Sequence, residues 1–149
     1  MVDARTLYRE NAARGAGPVR QVVLLYEQIV EDLRRAENAI RQNRIEDRTK
    51  AINHAIVVVG HLQSRLNFEE GGAVARNLER FYNLLRRKLL EAQVEASQPI
   101  LSEQLSLLLD LRDAWMQVES AESARVTPAP PVPTSGGANS QKMRTDWEG

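Results

Sequence analysis

The sequence predicts an all-α fold, an antiparallel up-down-up-down four-helix bundle with an N-terminal arm or short helix and a disordered C-terminal tail. Two observations predict the bundle. Four long stretches carry apolar residues three or four positions apart, and only short polar or glycine connections separate them. A third observation marks the ends: a small-residue run closes the first segment, and a Pro/Gly/Ser-rich run fills the last. The predicted organisation is an arm over residues 1–17, a bundle over 18–124 and a tail over 125–149.

In the arm, Leu7 and Tyr8 are the only bulky apolar side chains before Gly15-Ala16-Gly17. A helix over Ala4–Ala13 would be marginal alone in water, so the arm either tucks Tyr8 against the bundle or detaches and uncovers a groove.

Pro18 suits the first position of a helix, where its missing N–H is not needed. From there Val19, Val22, Val23, Tyr26, Ile29, Val30, Leu33, Ala36 and Ile40 share one side, placing the first helix at about Pro18 to Gln42. Leu24 projects almost opposite that side, towards solvent. After Asn43-Arg44 the second helix puts Ile45, Ile52, Ala55, Ile56, Val59, Leu62 and Leu66 inward. Val57 falls on its reverse face with His54 and His61, and Val58 on its flank. The β-branched run Ile56–Val59 would suit a strand, but the flanking period decides for helix.

Gly71-Gly72 then predicts a helix end and a reversal, because paired glycines take positive φ cheaply. The third helix follows, with Val74, Leu78, Phe81, Leu85, Leu89 and Ala92 inward, Tyr82 and Leu84 beside the stripe, and an end near Glu95. Pro99 starts the fourth, whose apolar face is Ile100, Leu101, Leu105, Leu108, Leu111, Trp115 and Val118, with Leu107 on the shoulder and an end near Glu122. Beyond Thr127 the composition cannot bury enough apolar area to offset chain entropy.

Composition narrows the function. The chain has 149 residues, 42% of them apolar, which suits one domain with a genuine core. It has no cysteine, hence no disulfide and no thiolate metal site. Its 20 basic and 20 acidic residues balance, leaving no electrostatic footprint for nucleic acid. Arg34-Arg35 and Arg86-Arg87-Lys88 have no aromatic residues interleaved on an outer face and read as solvated flanks. The opening MVDARTLYRENAARG is charged throughout, unlike a secretory signal. No run approaches the roughly 20 apolar residues of a spanning helix, so no membrane insertion is expected and a cytoplasmic location is.

Catalytic patterns are missing. His54 and His61 lack a Glu three residues before them, and seven residues of helix separate them by about 10.5 Å, too far to share a metal without other ligands. No Gly-rich phosphate loop, Walker motif, nucleophile elbow or H-E-x-x-H occurs. The expectation is no enzyme, no cofactor and no metal. What the chain does have is surplus hydrophobicity: Leu24, Val57, Val58, Leu84 and Leu107 lie outside or beside the stripes. Singly such residues are ordinary; joined into grooves they would accept amphipathic partner helices.

Several residues also resemble a known family. Tyr8, Pro18, Leu25-Tyr26 within VVLLYEQ, Leu62, Leu66, Gly71-Gly72, Asn77-Leu78, Tyr82, Leu89, Ala92 and Trp115 in LRDAW form a pattern similar to FliS, the flagellin export chaperone of bacterial flagellar type III secretion. Glu27-Gln28 and Asn67 depart from it, the latter standing where Asp is frequent. The resemblance implies a chaperone that binds the disordered C-terminal segment of flagellin as short helices in outer grooves, prevents premature polymerisation and delivers it to the export gate. It also implies that the tyrosine-bearing arm can cover part of the client surface. On this chain the client-binding or arm-groove residues would be Leu7, Tyr8, Leu24, Tyr26, Val57, Val58, His61, Leu84, Leu107 and Leu111. A homodimer without client is a further expectation. The rival reading is a non-catalytic helical-bundle scaffold that self-associates.

Overall fold

Four helices and no strand make up the described residues, 17–126, of the computed structural model: α1 (Pro18–Arg41), α2 (Ile45–Ser64), α3 (Phe68–Glu95) and α4 (Gln98–Val126). The predicted arm residues Leu7 and Tyr8, and the tail from Thr127, lie outside them. The chain divides into two compact units, Met1–Met116 and Gln117–Gly149. The first holds the core. In the second, residues 117–126 are helical, so α4 extends past the expected end at Glu122. Val118, expected on the inward face, is exposed there.

Local chemistry sets the helix ends. Pro18 occupies the first turn of α1 after an extended Gly17. Asn43, just past α1, has φ 56, a left-handed conformation that Asn tolerates. The Asn67 carboxamide accepts from the Glu70 N–H at 3.0 Å and caps α3, so Asn serves where Asp would also cap. The Ser97 hydroxyl accepts from the Ile100 N–H at 3.3 Å and caps α4. Between these helices Ala96 is left-handed, φ 51, and closes α3 by donating to the Ala92 carbonyl.

The reversal expected at Gly71-Gly72 lies earlier, at Arg65–Asn67. Gly72 instead kinks the start of α3, with φ 51 and ψ -124, a conformation open to glycine and closed to other residues. Gly71 is needed for a different reason, since a Cβ there would lie 2.9 Å from the Cβ of Ala75. The inward seam of α3 runs through Ala75, Tyr82, Leu85, Leu89 and Ala92, so Ala75 rather than Val74 turns inward, and Val74 is exposed. Tyr82 takes the buried position expected of Phe81, which is only half-buried. Ile45 is also exposed, because it is the first residue of α2 and has no turn before it to pack beside.

Between α1 and α2, Arg65 bonds Gln21 at 2.6 Å and His54 bonds Asp32 at 2.6 Å. Between α2 and α3, Arg48 Nε donates to Gln93 Oε1 at 3.2 Å and Gln63 Nε2 to Asn83 Oδ1 at 2.7 Å; Arg86 also donates to Gln63. In both sets the numbers rise on one helix as they fall on the other. The core draws on all four helices, with Ile29 and Leu33, Ile52 and Val59, Leu85 and Leu89, Leu101 and Leu108 fully buried.

Deep in that core the Tyr26 and Tyr82 hydroxyls meet at 2.8 Å, their rings edge-to-face with centroids 6.3 Å apart. Trp115 of α4 packs against the same core. Burial pushes both phenols above their ordinary range, and for Tyr82 the neighbouring Tyr26 adds to the rise. A folded-state pKa above the unfolded one means that this stabilisation is intact below about pH 10 and is lost as pH climbs through the folded value.

Two predictions follow from this geometry. In urea titrations Gly72→Ala should cost about 1–2 kcal/mol, because space is free but the backbone is not, while Ala96→Gly should raise stability by about 1 kcal/mol. Tyr82→Phe should cost about 1–2 kcal/mol at pH 8 by taking a partner from Tyr26, and should lose less stability between pH 8 and pH 11 than the parent protein does.

Candidate partner-binding surface

The residues expected to form a partner surface fall into two groups. Val57 on α2 is 57% exposed, Leu84 on α3 42% and Leu107 on α4 43%. His61, one turn beyond Val57, is exposed as well. Leu111 is half-buried and packs against the core. Each exposed leucine or valine sits on the outer side of a different helix, away from the buried stripe.

The second group is buried, which corrects three expectations. Leu24, expected to face solvent, is only 7% exposed. At roughly 100° per residue the buried positions of α1, from Leu24 through Ala39, Asp32, Ala36, Ile29, Leu33 and Tyr26 to Val23, sweep well over half its circumference. The single-stripe assumption fails for this helix. Gln21 and Gln28, one turn to either side of Leu24, are bonded to Arg65 and Asp32. Val58, expected on a flank, is buried because α2 packs against both α1 and α3, so both its flanks are covered. Tyr26 is wholly buried by its pairing with Tyr82 and offers no outer surface.

Sequence reasoning missed a buried polar network. Asp32 is fully buried, yet its Oδ1 accepts from Arg35 at 2.9 Å and from Gln28 at 3.1 Å, and its Oδ2 meets His54 Nδ1 at 2.6 Å. A buried carboxylate is tolerable when paired in this way. The signal was present: Asp32 lies three residues after Ile29 and four before Ala36, both buried. Gln104 was missed for the same reason, lying between Leu101 and Leu108 on the inward face of α4 and buried with them. Exposed Leu90 and Val94 on α3 were also missed. Among the described residues no group of three or more His, Cys, Asp or Glu could hold a metal ion, and no helix is long and apolar enough to cross a membrane.

Apolar side chains turn outward from several helices, and comparison with known proteins gives the class: flagellar proteins. The family model described as flagellar protein FliS matches residues 1–122. The chain is 33% identical over 100 residues to the flagellar secretion chaperone FliSB of Pseudomonas aeruginosa, covering 67% of this chain and 79% of that protein. It is 29% identical over 120 residues to the flagellar secretion chaperone FliS of Campylobacter jejuni, covering 80% and 94%. With FliS of Salmonella typhimurium the identity is 28% over 115 residues, covering 76% and 85%. The chain belongs to the FliS family, a family of chaperones and not of enzymes.

The two groups of residues should respond oppositely to a charge. Leu24→Asp buries an unpaired carboxylate and should cost at least about 3 kcal/mol in chemical denaturation, whereas Val57→Asp should stay within about 0.5 kcal/mol of the parent.

Proposed function

We propose that the chain is a flagellar secretion chaperone that binds the disordered C-terminal segment of flagellin. The observation that carries this reading is the FliS family match across residues 1–122 together with Val57, Leu84 and Leu107 exposed on outer helix faces. The four helices would form an antiparallel up-down-up-down bundle, which the opposed numbering of the α1–α2 and α2–α3 bonds supports. The client would lie as short amphipathic helices along the outer faces, using Val57, His61, Leu84, Leu107 and the exposed edge of Leu111. The arm, residues 1–17 with Leu7 and Tyr8, would shield part of this surface when no client is bound.

Physically the mechanism is competition for apolar surface. The faces that flagellin buries against its neighbours in a filament would be buried against the chaperone instead, so polymerisation in the cytoplasm stops. A disordered client loses chain entropy on binding, and a long wrapped contact is needed to offset that loss. Delivery would then be displacement of the client at the export gate.

The test is calorimetry and sizing of the full chain with a synthetic flagellin C-terminal peptide. A one-to-one complex is expected, weakened about tenfold by Leu84→Asp or Leu107→Asp with the fold retained. A peptide that is ignored by a chain sizing as a homodimer would instead favour the self-associating scaffold. Unchanged affinity in both variants would remove the outer-face model.

A further inference from the structure

Residues 76–90 of α3 carry five cations, Arg76, Arg80, Arg86, Arg87 and Lys88, against one carboxylate, Glu79, in a chain whose 20 basic and 20 acidic residues balance. Arg86 and Lys88 are engaged, the first donating to Gln63 of α2 and the second meeting Glu91 at 3.7 Å. Arg76, Arg80 and Arg87 are exposed, and none of them forms an ion pair among the described residues. Arg80 reaches Asn77 at 2.8 Å, a neutral partner. At roughly 100° per residue the three arginines fall within about 40° of one another. The same stripe continues into Leu90 and Val94, which are 50% and 85% exposed. We propose that this face of α3 docks an acidic amphipathic helix of a partner protein, with carboxylates on the arginines and apolar side chains on Leu90 and Val94.

The described residues leave this charge unused. Arg76 and Arg80, four positions apart on one helix, repel each other. Glu79 projects about 60° or more to one side of the arginines and pairs with none of them. Glu91, one turn past Arg87, is held by Lys88. The repulsion is unfavourable in the free chain and is relieved when carboxylates approach from outside. All three outward cations are arginine, whose planar fork takes a carboxylate through two parallel bonds and which interfaces favour over lysine.

Length and order select the occupant. From Arg76 to Val94 the stripe runs about 27 Å, or about five turns, with its charge first and its apolar surface last. A helix laid along it matches that order with carboxylates one or two turns apart, followed by apolar side chains. Nucleic acid would leave Leu90 and Val94 unmatched, and the stripe has no aromatic side chain on which a base could stack. A flat anionic membrane would meet Glu79 on one side of the stripe and Glu91 on the other, whereas a single helix lies between them. None of these residues belongs to the surface proposed for flagellin, and Leu90 lies about 120° round α3 from Leu84.

The experiment titrates the full chain with a designed helical peptide of about 20 residues, carrying Glu at the spacing of the arginines and Leu at that of Leu90 and Val94. Parallel titrations use its Gln counterpart, a scrambled peptide of the same composition, a DNA duplex and phosphatidylglycerol vesicles, with backbone amide shifts followed by NMR. Saturable binding of the Glu peptide is expected, with shifts centred on residues 76–94. Affinity should fall about tenfold for the Gln and scrambled peptides, and about as much on Arg80→Glu or Arg87→Glu. Added salt should weaken binding. A peptide with Lys in place of the Glu facing residue 80 should regain affinity for Arg80→Glu. Arg41→Glu, at an exposed arginine of α1, should leave the affinity unchanged. No saturation, equal binding of the Gln or scrambled peptide, an unaffected Arg87→Glu, an equal loss on Arg41→Glu, or saturation of the same amides by DNA or vesicles would each overturn the proposal. Val94→Asp should weaken the Glu peptide and leave the flagellin peptide bound as before, so this face and the outer-face reading can fail separately.

Discussion

Helix α1 is enclosed over most of its circumference, and the rest of the structure follows from that constraint. One side carries Tyr26, Ile29 and Leu33 into the common core. Another carries Asp32 and Ala39 against α2, and even Leu24, opposite the core, is covered. The apolar residues left outside belong to α2, α3 and α4.

An interior helix also forces polar groups inside, and each must be matched. The Tyr26–Tyr82 hydroxyl pair ties α1 to α3, and its directional bond restricts how those two helices slide past one another. Asp32 does comparable work between α1 and α2 through His54. Apolar burial supplies the bulk of the stability; these bonds select one packing among the many that greasy stripes alone would allow.

Much of the architecture was legible because helical periodicity survives any detail of packing. Pro18, Asn43-Arg44 and Glu95 marked helix boundaries to within a residue or so, and Leu85, Leu89 and Ala92 were placed inward correctly. The paired glycines were recognised as special, but their role was misassigned. Asn67, a cap three residues before Glu70, held the better clue to where α3 begins. Val74 went astray with Phe81, seven residues on, because the seam runs one position later through Ala75 and Tyr82. Leu24 was misread, since a one-stripe wheel treats whatever lies off the stripe as solvated and cannot know how many neighbours a helix will have. Val57, on the reverse face of α2, and Leu84 and Leu107, beside their stripes, could be read as exposed because each lies outside its stripe on a helix whose outer side stays open.

In this FliS-family protein α1 is largely enclosed, and the exposed large apolar side chains lie on α2, α3 and α4. The most direct measurement is a methyl NMR titration of the intact chain with a flagellin C-terminal peptide. The account predicts that the methyl resonances of Val57, Leu84 and Leu107 shift in step with complex formation while those of Leu24 and Val58 hold still. Perturbation centred on Leu24, with the outer methyl groups silent, would contradict it.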